Sequence, residues 1–109
     1  MAARKSSLTR LAARMTVAIY GRVALPLSGI AATYDMSRPT LYSLIGGLDV
    51  GAGLAPNEAA LRSAHEDDIG RQITDEEWTA ARRAAGDLIA ARYLRLAQNA
   101  IGRDLREAA

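Results

Sequence analysis

The stretch Ser37-Arg38-Pro39-Thr40-Leu41-Tyr42-Ser43 places four hydroxyls and one guanidinium within seven residues. Hydroxyls both donate and accept hydrogen bonds, and Arg presents a fork of donors that matches anions. Such a set suits recognition of a hydrogen-bonding, negatively charged surface better than bond making, because no base stands near it in the chain. The charge around it agrees. Residues 1–45 hold six basic groups (Arg4, Lys5, Arg10, Arg14, Arg22, Arg38) and one acid, Asp35, a net of +5. Residues 46–80 carry a net of −6 and residues 81–109 a net of +3, so the overall +2 hides a strong asymmetry. A basic block of this kind fits a polyanion-facing surface; the plainer alternative is that Arg is simply the solubilising residue of this chain.

Other chemistry is poorly represented. Cysteine is absent, which removes disulfides and thiolate metal or redox sites. The single His, His65, is followed by Glu66, Asp67 and Asp68, but neighbouring helical positions point in different directions and no second His supports a metal. That cluster reads as an exposed acidic helix end, with contact to the basic N-terminal segment as the alternative. GGLDVGAG (Gly46 to Gly53) is glycine-rich yet lacks the Lys and the preceding strand of a phosphate loop. No Gly-x-Ser-x-Gly occurs. The expectation is a binding protein, not an enzyme, with no cofactor and no metal.

The elements that must hold the hydroxyl-rich stretch are helical. A first helix is expected over Ser7 to Tyr20, where Leu8, Leu11, Met15, Ala18 and Ile19 form an apolar stripe with Arg10 and Arg14 off it. Gly21 and Pro26 end it. Two short helices follow, about Leu27 to Thr33 and Ser37 to Gly46, with Ser37 as N-cap and Pro39 in the first turn. Only Tyr34, Asp35 and Met36 separate them. Asp49 to Asn57 reads as a loop or linker. A fourth helix spans about Glu58 to Asp68, capped by Asn57. A long fifth starts at the capping box Thr74-Asp75-Glu76-Glu77 and reaches about Ala100, some 40 Å at 1.5 Å per residue. Gly86 interrupts it, either to let another helix approach or incidentally.

Ile30 and Tyr34, Leu41 and Leu44, and Met36 between them can close one small core, with Ala31 small enough for the two helices to cross. This spacing is the helix-turn-helix arrangement. LSGIAATYDMSRPTLYSLI resembles the helix-turn-helix of the resolvase/invertase recombinases and of many bacterial and phage repressors; it is also similar to the DNA-binding segment of the tetracycline-repressor family, in which Thr-Leu-Tyr likewise follows the turn. The resemblance covers residues 27–46, or 7–46 with the first helix. It does not cover the C-terminal half; it implies an N-terminal trihelical helix-turn-helix domain, and with the short helix and the long C-terminal helix read from the residues the expected fold is all-α. The family pattern has Gly in the turn. Asp35 stands there instead, and Asp tolerates a left-handed backbone better than most residues.

From the resemblance, Ser37 to Ile45 is the recognition helix. Arg38 then reaches guanine or a phosphate, Ser37 and Thr40 bond phosphates or base edges, and Tyr42 and Ser43 meet the DNA. Ser28 sits against the backbone, and Arg4 and Lys5 form an arm along the duplex. The implied function is a sequence-specific double-stranded DNA-binding transcriptional regulator, a dimeric repressor. The alternatives are a DNA-recognition subunit of a larger machine, such as a small terminase subunit or recombination accessory factor, and a protein-interaction module of antitoxin type.

The division of the chain follows: residues 1–48 for DNA binding, 49–57 as linker, and 58–109 as a helical dimerisation region. Trp78, Ala81, Ala85, Ile89, Tyr93, Leu96 and Ala100 line one face of the last helix. That stripe packs on the N-terminal half or pairs with the same helix of a second chain. The second is expected, because an Ala-rich core without Phe buries little area per residue. Trp78, Ala85, Ile89, Tyr93 and Leu96 are therefore the expected homodimer interface. No apolar run spans a membrane. Arg10 and Arg14 interrupt the N-terminal apolar segment, so it reads as mature protein, and the expected location is cytoplasmic.

Overall fold

The helix expected from Ser7 to Tyr20 forms with those ends and becomes the axle of the molecule. A computed structural model describes residues 5–22 and 25–108. The chain is all-α: α1 Ser7–Tyr20, α2 Leu27–Thr33, α3 Arg38–Leu44, α4 Leu54–Ile69 and α5 Asp75–Ala108. Among the described residues no helix is long and apolar enough to cross a membrane.

Ser6 caps α1 by accepting from the Thr9 amide at 3.1 Å, worth about 1 kcal/mol. The middle of α1 differs from the expected one-sided stripe. Every residue from Arg10 to Ala18 is buried, while Leu8 at the N-terminal end is exposed. The reason is that α2, α3, α4 and α5 all pack on it, α5 most extensively. Gly21 ends the helix, though not with a left-handed backbone: its φ is −60°. A Cβ there would lie 2.5 Å from the Val17 carbonyl oxygen and 2.6 Å from Val50 Cγ1, so clearance demands the glycine. Arg22, one residue later, takes the positive φ of 62°.

α2 has the expected extent, α3 starts after the expected Ser37 cap but ends at Leu44, two residues before the expected Gly46, and Tyr34 to Ser37 joins them. Asp35 lies in this turn with φ 52°, the left-handed conformation expected of it. Ile30, Ala31, Tyr34, Leu41 and Leu44 all point inward and are buried, with Met36 partly so. Each fully buried Leu or Ile contributes about 1.5–3 kcal/mol relative to exposure. The Tyr34 hydroxyl lies 2.6 Å from Thr16 Oγ1 and also donates to the Ala12 carbonyl, which pins the turn to α1. Burial raises the Tyr34 pKa and keeps this phenol protonated.

α4 begins at Leu54, four residues before the expected Glu58. Asn57 is therefore not its cap. It is a buried residue inside the helix whose side-chain oxygen accepts from the Asp49 amide and whose amide donates to the Asp49 and Gly53 carbonyls. The segment read as a linker is also bound to the end of α1: the Gly51 and Gly53 amides donate to the Val17 and Ala18 carbonyls at 3.1 and 2.8 Å.

α5 starts with the expected capping box. Thr74 Oγ1 accepts from the Glu77 amide, and Glu77 Oε1 accepts from the Thr74 amide. Arg71 grips the same carboxylate and holds its pKa at about 2. The helix then runs past Ala100 to Ala108. A Cβ at Gly86 would meet nothing within 4 Å, so no helix approaches there.

The dimer stripe needs correction. Ala85 and Ile89 are 1% and 3% exposed within a single chain, in the same core as Leu11, Met15 and Ile30. They have no surface left for a second copy. Of the two uses considered for this stripe, packing on the N-terminal half is the one seen for Ala81, Ala85 and Ile89. Trp78 is half-buried against the core, and the Arg62 guanidinium sits 4.4 Å from its ring centroid. The side chains of Tyr93 and Leu96 lie outside the described residues.

Candidate nucleic-acid interface

α3 has one buried side and one exposed side. Leu41 and Leu44, three apart, face the core, which leaves Arg38, Pro39, Thr40, Tyr42 and Ser43 exposed, Tyr42 by 52%. Ser37 is the N-cap: its hydroxyl oxygen accepts from the Thr40 amide at 3.2 Å and lies 2.8 Å from Thr40 Oγ1. Ser43 donates to the Thr40 carbonyl at 2.7 Å. Part of the hydrogen-bonding capacity of Ser37 and Ser43 is thus spent on shaping α3. Arg38 and Tyr42, both exposed, carry no such local bond among the described residues.

The fold brings Ser28, Arg38 and Tyr42 to one open cleft of about 520 Å3. Arg22 and the apolar residues Leu25, Pro26 and Leu27 complete its wall. Arg22 was absent from the residues expected to bind, although it counted in the basic block. The signal for it lay in its position: a cation in the short connection just before α2. Its backbone is left-handed, and it lines the same cleft as Arg38.

The rest of the basic block behaves differently. Arg10 and Arg14 are only 9% and 6% exposed. Arg10 Nε donates to Asp68 Oδ2 at 2.6 Å and Arg14 Nη1 to the same oxygen at 3.3 Å, while Arg14 Nε donates to the Leu44 carbonyl at 3.0 Å. Burial alone would raise the Asp68 pKa, but the two guanidiniums outweigh it and hold the carboxyl below its ordinary value. These cations are structural and do not face a polyanion. Lys5 also has a partner, Asp35, at 3.5 Å, although Asp35 itself is fully exposed. Such a pair is weak in water and easily exchanged for a phosphate. Arg4 lies outside the described residues.

The acidic end of α4 is not the exposed run it resembles in sequence. His65 is 1% exposed, and Asp68 turns inward to the two arginines. Glu66 accepts from the Ile73 amide and fastens the connection to α5. His65 Nδ1 is buried without a hydrogen-bond partner. Burial, then the nearby Arg14 charge, lowers its pKa and favours the neutral ring. It lines a cleft with Ser7 and Glu77, yet no hydrogen bond joins these three among the described residues, so no nucleophile–base pair is assembled. Nor does any group of three potential metal ligands occur among the described residues.

No family model, no curated protein and no solved structure matches this chain.

What remains is geometry: an exposed short helix with a guanidinium near its start, a second guanidinium and a Ser beside it, and an anchored turn behind. Hydroxyls and arginines arranged around a protruding helix can bond phosphate oxygens and base edges at once.

Proposed function

We propose that this protein is a sequence-specific double-stranded DNA-binding regulator that lays α3 in the major groove and represses transcription by occupying its site. The observation that carries this reading is the two-sided α2–turn–α3 unit. Asp35 takes the left-handed position between the helices, the apolar residues close inward, and Arg38, Thr40 and Tyr42 are held outward beside Ser28 and Arg22. Arg38 reads a guanine edge, while Ser28 and Arg22 meet the sugar–phosphate backbone. In this reading the protein acts in the cytoplasm, needs no cofactor and performs no reaction.

Selection of bound sequences from a random duplex pool tests the proposal. Enrichment of one motif, with the preference relaxed at one position in Arg38→Ala, is the expected result. Absence of any duplex binding at low salt overturns it. The symmetry of the motif reports the assembly. A palindrome signifies a two-fold pair, whose contact surface then excludes the buried Ala85 and Ile89.

A further inference from the structure

Farther along α2, next to the α3 cleft, α5 presents two more arginines. Arg92 is half-buried, and Arg95 is exposed. With Ala32 and Thr33 of α2 and Leu88 and Ala91 of α5, they enclose a small cleft of about 140 Å3. No carboxylate lines it, α2 contains no acid, and neither arginine forms an ion pair among the described residues. Arg92 Nε is buried without a hydrogen-bond partner. An unpaired, desolvated guanidinium nitrogen is unfavourable unless an acceptor arrives.

Gly29 explains how Arg92 gets there. A Cβ at this position would stand 3.2 Å from Arg92 Nη2, with Leu25 Cδ1 and Pro26 Cγ next nearest. The guanidinium thus rests on the bare backbone of α2, one residue from Ser28. Leu25, Pro26 and Ser28 belong to the α3 cleft, and Ser28 lies four residues from Ala32 on the same face of α2, so the two cationic clefts adjoin along this helix. Arg22 and Arg38 line one, Arg92 and Arg95 the other.

We propose that Arg92 and Arg95 grip a phosphodiester of duplex DNA alongside α2, next to the stretch that α3 reads. This inference rests on the DNA-binding reading and adds a second anchoring element from the far end of the chain. A phosphate has the acceptors that the Arg92 fork lacks, and arginine binds phosphate in paired, directional bonds. Contacts of this kind fix register and add affinity without sequence information.

The test is duplex binding by the full chain, followed by fluorescence anisotropy between about 50 and 200 mM salt. Arg95→Ala, Arg92→Ala and the double variant are compared with wild type and with Arg38→Ala. Removing one phosphate interaction should reduce the slope of log affinity against log salt by about 0.9. Affinity should fall by a similar factor on every sequence, with the preferred motif unchanged. Arg95→Ala involves only an exposed side chain, so it keeps the test valid should Arg92→Ala lose stability. An unchanged slope and affinity in Arg95→Ala and in a folded double variant overturn this inference, while a shifted preference in Arg38→Ala leaves the broader reading standing. Wild-type protein that binds no duplex at about 50 mM salt removes both.

Discussion

Arg10 and Arg14 on α1 and Arg22 and Arg38 around α2 and α3 belong to one basic run in the sequence, yet they end in opposite environments. The first pair is enclosed by four helices and shares the carboxylate of Asp68. The second pair lines an open cleft beside hydroxyls. A count of positive charge is therefore a poor measure of charge offered to a partner. What decides is whether another helix lands on that face, and for α1 helices land on every face.

The comparison can be broken most forcefully at Asp68. Asp68→Asn removes the carboxylate charge that Arg10 and Arg14 share and should destabilise the fold by about 3–5 kcal/mol, read from urea unfolding. A loss below about 1 kcal/mol would mean that Arg10 and Arg14 are solvated after all. The acid limb of stability probes the same region. In the fold His65 is held below 6.5 and Asp68 below 3.8, so both bind protons more weakly folded than unfolded. Their contribution is complete above pH 6.5. His65's share declines as pH falls through that value, and Asp68's share follows below its own ordinary value. Urea midpoints measured down the pH scale should fall in that order, and a flat profile would contradict the buried network.

At the exposed pair the effect should appear in binding alone. Arg38→Ala is expected to cost about 1–3 kcal/mol of specific affinity and leave the unfolding midpoint unchanged. Equal losses in both measurements would erase the distinction between the two regions.

The turn between α2 and α3 sits on the boundary. Asp35→Ala places a Cβ residue without a polar tip at φ 52° and should destabilise by about 1 kcal/mol, whereas Asp35→Gly should be tolerated or stabilising. Thermal unfolding of the two variants in reverse order would show that the turn is held by something other than backbone preference. Smallest is Gly86→Ala on the open side of α5, expected to stabilise by about 0.5–1 kcal/mol because nothing crowds the added methyl. A decrease in the same unfolding assay would reveal a close neighbour there.

Local signals in the sequence were the ones that could be read. The ends of α1, the pair α2 and α3, the Asp35 turn and the Thr74–Glu77 box all depend on residues within a few positions of one another. That Ser28, Arg38 and Tyr42 stay off the core follows from the same short core, and they line one cleft. What escaped depended on partners far along the chain. Arg10 and Arg14 looked free because Asp68 is more than fifty positions away. Asn57 looked like a cap, although its bonds run back to Asp49. The Ala85 and Ile89 stripe had the right period for any apolar neighbour, and periodicity does not say whether that neighbour is α1 or a second molecule. Arg22 and the Arg92–Arg95 pair needed the spatial arrangement of α2 against its neighbours.

The burial of α1 on all sides has a consequence for motion. Its central amides can meet solvent only when the helices around it come away together, so they should be the last in the molecule to exchange in heavy water. The amides of the turn near Asp35, at the rim, should exchange far sooner. Local breathing at the surface therefore leaves the axle shut, and the slowest α1 amide serves as a direct gauge of whole-chain opening.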